Sequence, residues 1–120
     1  MLTRSLADCN EILAGDQTLL RELFHPARVP ASIGYSLAHA KLKRGTSSLP
    51  HRLKTSEVYY FLSGRGRMHV DDDTAAVASG QALYVPPGAV QCLENTGPDD
   101  LSFLCIVDPA WQAEDEDILT

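Results

Sequence analysis

Two stretches decide how this chain folds: Gly45-Thr-Ser-Ser-Leu-Pro-His51-Arg-Leu53-Lys-Thr-Ser-Glu57-Val-Tyr59-Tyr-Phe61-Leu-Ser-Gly64 and Gly80-Gln-Ala-Leu-Tyr84-Val-Pro86-Pro87-Gly88-Ala-Val-Gln91-Cys-Leu93-Glu-Asn95. Each opens on a glycine, where a tight turn needs positive φ or close backbone approach, and the first also closes on one. Between those turns the aromatic and β-branched content favours short strands over helix. His51, Leu53 and Glu57 share one parity, as do Gln91 and Leu93, so all five side chains are expected on the inner side of their strands.

Upstream, Ala31 to Gly45 alternates with Ile33, Tyr35 and Leu37 on one face and Ala38, Ala40 and Leu42 on the other, which predicts a long strand. Residues 1–30 read as an arm with one short helix, because Asp16 suits an N-cap and Leu19, Leu20, Leu23 and Phe24 follow helical spacing until Pro26. Downstream, short apolar runs recur between Gly, Pro, Asn and Asp up to Asp108, with Asp71-Asp72-Asp73 as a hairpin tip and Gly97 to Asp100 as a hairpin turn. Many short strands at close spacing predict an antiparallel sandwich or barrel over 31–108. Residues 109–120, with Glu114 to Asp117, read as a solvated acidic tail.

No linker interrupts the 120 residues, so one domain is expected, able to bury roughly two thirds of the surface its unfolded chain would expose. A net charge of −6 argues against nucleic acid as a partner, since phosphate contacts need a concentrated basic surface. The chain carries no apolar run long enough to cross a bilayer and no basic-then-apolar leader pattern at its start, so no membrane role is expected. Cys9, Cys92 and Cys105 are odd in number and lack metal-type pair spacing, which favours reduced packing thiols and a cytoplasmic location.

The glycines, the Pro86-Pro87 pair, Glu57 and Asn95 fall in the register of the two cupin motifs, and the chain resembles that family from about Ala38 to Val107. The resemblance implies an all-β fold, the double-stranded β-helix or jelly-roll barrel, here with the short N-terminal helix added. In the family the first motif typically supplies two histidines and a carboxylate and the second a third histidine. By position His51 and Glu57 match, whereas Leu53 and Gln91 replace histidines. The implied metal ligands are therefore His51, Glu57 and Gln91. One imidazole, one carboxylate and one amide form a harder set than three imidazoles, which opens the site to Mn²⁺ or Fe²⁺ beside Zn²⁺ or Ni²⁺. The alternative is no ion at all, with the three side chains hydrogen-bonded to one another. His39 and His69 share parity with charged neighbours and are expected to face outward, and His25, before Pro26, to lie on the surface.

Functionally, these residues point to a small-molecule-binding cupin. One form is a metal-dependent enzyme acting on a sugar or a small carbonyl or phenolic compound, with Glu57 and Tyr59 as the proton-handling residues. The other is a metal-free ligand-binding or sensor module, which the apolar Leu53 favours. Trp111 is placed to cover a barrel mouth or a dimer seam, and a homodimer is expected from the fold.

Overall fold

Alternating burial organises the chain from Ser36 onward, and it does so because every strand offers one face to a shared interior. The computed structural model describes residues 1–119. Its strands are β1 (Ile12–Leu13), β2 (Leu19–Phe24), β3 (Ser36–Leu42), β4 (His51–Leu53), β5 (Ser56–Ser63), β6 (Arg65–Val70), β7 (Asp73–Ala78), β8 (Ala82–Val85), β9 (Gln91–Asn95), β10 (Leu101–Asp108) and β11 (Glu116–Ile118). They form two antiparallel sheets, one ordered β1-β2-β3-β10-β5-β8 and the other β11-β4-β9-β6-β7. This is the jelly-roll arrangement of the cupin fold, with the core between the sheets.

Leu42, Phe61, Met68, Val85, Leu93, Leu101 and Phe103 fill that core and are almost completely buried. Removing each such side chain from water stabilises the fold by about 1.5–3 kcal/mol. Tyr59, Phe61 and Phe103 pack as an aromatic trio, with Phe103 5.3 Å from Tyr59 and 5.7 Å from Phe61 between ring centres. Gly64 turns β5 into β6 at φ +86°, and a Cβ there would lie 2.6 Å from the Asp100 carbonyl oxygen, so only glycine fits.

Three expectations are corrected. The segment Asp16 to Pro26 is not a helix: Leu19–Phe24 is a strand paired with β3, and the helical element near the N-terminus is one 3-10 turn at Leu6–Asp8. Asp16 does cap, but it caps a turn. Its Oδ1 accepts the Thr18 amide at 3.1 Å and the Thr18 hydroxyl at 2.7 Å, while Gln17 sits at φ +77°. Short polar side chains stabilise turns and helix starts by the same bond, and here the ladder offered by β3 decides between them.

Nor is the acidic run a solvated tail. Glu116, Asp117 and Ile118 pair with Leu53, Arg52 and His51, and the backbone N–H of Leu119 donates to the Pro50 carbonyl at 2.8 Å. Residues 96–100 form a crossing between the two sheets rather than a hairpin, because β9 and β10 lie in different sheets. Asn95 holds that crossing, donating to the carbonyls of Leu42 at 2.9 Å and Asp99 at 2.8 Å.

Candidate functional site

A cavity of about 600 Å³ opens between the sheets at the end where β4 and β11 meet the β1–β2 turn. Its apolar lining includes Leu20, Ala38, Leu53, Phe103 and Val107. The parity expected for the motif residues holds, since His51, Leu53, Glu57, Gln91 and Leu93 are all buried.

Glu57, Gln91 and Tyr59 form one chain of hydrogen bonds. The Gln91 Nε2–H donates to Glu57 Oε1 at 3.0 Å, and the Tyr59 hydroxyl donates to Gln91 Oε1. Both ends of the amide are thereby used, and Gln91 sits behind the cavity wall rather than on its lining. His51 and Gln91 are opposite one another across β4 and β9. The His51 Nδ1–H donates to the Leu49 carbonyl at 2.9 Å, and its Nε2 lies 3.6 Å from Asp16 Oδ2.

Burial sets the protonation of this wall. Desolvation pushes the Glu57 carboxyl up to about 7, against the opposing pull of His51 and the Gln91 amide. The Tyr59 phenol and the Cys105 thiol are raised well above their usual ranges by burial and then by Glu57, so both stay neutral near pH 7. A neutral phenol committed to Gln91 is an orienting group more than a proton carrier. Glu116 is also raised, by burial and by Asp16, with His51 opposing.

Asp16 and Glu116 are two lining residues that sequence reasoning missed. They come from segments flanking the motif blocks, and neither carried a spacing signal: one resembled a helix cap, the other part of a charged tail. Trp111, expected at a barrel mouth or a dimer seam, is among the residues that line the cavity. His39 and His69 lie off it, His69 3.3 Å from Glu94 on the outer side. His25 is buried rather than superficial, donating from Nε2 to the Trp111 carbonyl at 2.7 Å and accepting the Ala27 amide at Nδ1.

The motif donor set does not fit a resident divalent ion. Leu53 offers no donor, Gln91 is satisfied at both ends, and Glu57 is tied to Gln91. Among the described residues no three His, Cys, Asp or Glu side chains are grouped as metal ligands would be.

The chain matches the family model of the cupin domain over residues 38–107. An uncharacterized protein of Methanocaldococcus jannaschii is 38% identical over 105 residues, covering 87% of this chain and 83% of that protein. The oxalate-binding protein of Thermotoga maritima is 32% identical over 71 residues, covering 58% of this chain and 59% of that protein. Oxalate decarboxylase from Bacillus subtilis shares the fold, with a TM-score of 0.86 at 21% identity over 99% of this chain and 32% of that one. With both motif blocks inside the matched region and their inward residues around one cavity, the chain belongs to the cupin family.

Proposed function

We propose that this cupin binds a small molecule in the cavity between its sheets, with the Glu57–Gln91–Tyr59 hydrogen-bonded chain standing where relatives of the family place metal ligands. The observation that carries the reading is the double use of the Gln91 amide, which satisfies the buried carboxyl and phenol without an ion. The cavity suits a ligand of modest size, apolar in its body and polar at one end. Binding without turnover, as in a sensor or carrier module, is the use we favour. The Thermotoga relative is named for oxalate, but a dianion here would meet Asp16, Glu57 and Glu116 with no ion to offset them.

One observation favours a catalytic second reading. Glu57 borders the cavity with its carboxyl poised at about 7, where it can donate or accept a proton at a bound carbonyl or hydroxyl. Elemental analysis of protein purified without added metal or chelator separates the two main cases. The metal-free reading expects far less than one ion per chain and an unchanged melting temperature in chelator. A stoichiometric ion lost in Glu57→Gln contradicts it.

The expected homodimer is supported by the outer face of the six-stranded sheet. Tyr60, Leu62 and Tyr84 are 42%, 41% and 62% exposed there, and the ladder sets Val58 beside Tyr84 and Leu104 beside Tyr60. Light scattering of wild type and Tyr60→Glu tests it: a dimer reduced to monomer is expected, and a wild-type monomer at all concentrations overturns it. Among the described residues no helix is long and apolar enough to cross a membrane. The three unpaired thiols support a reducing compartment such as the cytoplasm.

A further inference from the structure

The lining of the cavity is rich in acceptors. Asp16 enters from the turn before β2, His51 from β4, Glu57 from β5 and Glu116 from β11, and all four line the same space. His51 is the only group among them able to carry positive charge. Asp16 is fixed in place through Oδ1 by the amide and hydroxyl of Thr18, which leaves Oδ2 directed toward the imidazole.

His51 supplies an independent pointer to a ligand. Its side chain is only 3% exposed, its Nδ1–H is spent on the Leu49 carbonyl, and among the described residues its Nε2 makes no hydrogen bond. With the proton on Nδ1, Nε2 presents a lone pair to the cavity. A buried acceptor beside Asp16, in a cavity that Glu57 and Glu116 also line, calls for a partner that brings several donors, and an ammonium group brings three with a positive charge. Trp111 adds an aromatic side chain to the same lining, a surface that attracts cations.

Among the described residues neither guanidinium group on the lining forms an ion pair with Asp16, Glu57 or Glu116. Arg28 is forked onto Glu22, with Nη2 2.8 Å from Oε2, and Arg4 is an exposed residue whose Nη2 donates to Cys9 Sγ at 3.2 Å. Leu20, Ala38 and Phe103 line the same cavity, a hydrocarbon surface for the body of the ligand.

We propose that the cavity recognises a small primary amine, its ammonium group held at the Asp16–His51 pair, with Glu57 and Glu116 adding negative charge to the same cavity and the hydrocarbon body against Phe103. The proposal rests on the reading that the cavity binds a small molecule without a resident metal, and it names the chemical class. Occupation by the cation favours the ionised form of Glu57, so binding near pH 7 is accompanied by proton release.

The test uses three ligands of nearly equal shape: benzylamine, benzyl alcohol and benzoate, measured by calorimetry and thermal shift on the full chain, with MnCl₂ as a fourth probe. Benzylamine is expected to bind and stabilise, benzyl alcohol to bind roughly tenfold or more weakly, and benzoate not to bind. Glu116→Gln is expected to weaken benzylamine roughly tenfold without changing the fold, and Asp16→Asn provides a second variant at the opposite side of the site. Equal binding of the amine and the alcohol overturns charge recognition while leaving the cavity reading in place. Benzylamine affinity unchanged in both variants overturns the assigned site. Tight Mn²⁺ binding with no binding of any benzyl compound overturns both this proposal and the reading beneath it.

Discussion

The cavity has two walls of different origin. One is built from β5, β9 and β10, strands paired on both sides or packed in the core, and it carries Glu57, Gln91, Tyr59 and Phe103. The other is carried by the β1–β2 turn and by β11, edge segments of two or three paired residues, and it carries Asp16 and Glu116. The central wall is fixed by burial and mutual hydrogen bonding. The edge wall is held by short ladders, yet it supplies two of the three carboxyl groups, Asp16 and Glu116 beside Glu57, gathered at the site. In this cupin the motif strands set the shape of the site, and the flanking segments set much of its electrostatics.

The comparison breaks most visibly in the core. Phe61 is fully buried on β5, and Phe61→Ala is expected to cost about 3–5 kcal/mol in denaturant unfolding, from lost transfer free energy and the cavity left behind. Removing β11 by truncation after residue 115 is expected to cost less, because that strand is a lateral addition to β4. A truncation as damaging as Phe61→Ala would make the edge wall part of the core and erase the distinction.

Next in size is the pH dependence of the central wall. Glu57 is raised from 4.5 to about 7, so between those values the folded chain binds more protons than the unfolded chain. Stability from this group is therefore greatest below about 4.5 and falls as pH rises to about 7, by about 3 kcal/mol at most. Glu57→Gln is expected to flatten that slope in melts run across the interval. An unchanged slope would place the titration elsewhere.

Gln91→Ala sharpens the same wall. It leaves the Tyr59 hydroxyl and the Glu57 carboxyl without their shared partner, at an expected cost of about 1–3 kcal/mol. Gln91→Glu restores an acceptor for Tyr59 but sets a second carboxyl against Glu57, so it is not expected to rescue stability near neutral pH.

The division between the walls also marks what the sequence made legible. Alternation and turn glycines identify β3 to β10 and the inward set His51, Leu53, Glu57 and Gln91, because those features are local. Asp16 to Phe24 reads as a capped helix, since Asp caps turns and helices by the same bond and Leu19, Leu20, Leu23 and Phe24 keep helical spacing. Only the pairing of β2 with β3, a tertiary contact, makes it a strand. Glu116 was hidden for a related reason. A charged run near the chain end has no periodic signal, and β11 exists because β4 presents an open edge 63 residues earlier along the chain, as Glu116 pairs with Leu53. The motif replacements were visible as letters, but the commitment of both ends of the Gln91 amide depends on Tyr59, whose partner the sequence could not name.

The central claim is that the motif positions hold a hydrogen-bonded chain in place of a metal ion. Calorimetric titration of Zn²⁺ into wild type and into the Leu53→His/Gln91→His double variant tests it directly, because Leu53 lines the cavity and Gln91 lies just behind it. The account predicts weak or undetectable binding by wild type and binding at least roughly tenfold tighter by the variant, as imidazoles return to the site. Tight one-to-one binding by wild type, abolished by Glu57→Gln with the fold intact, would contradict it.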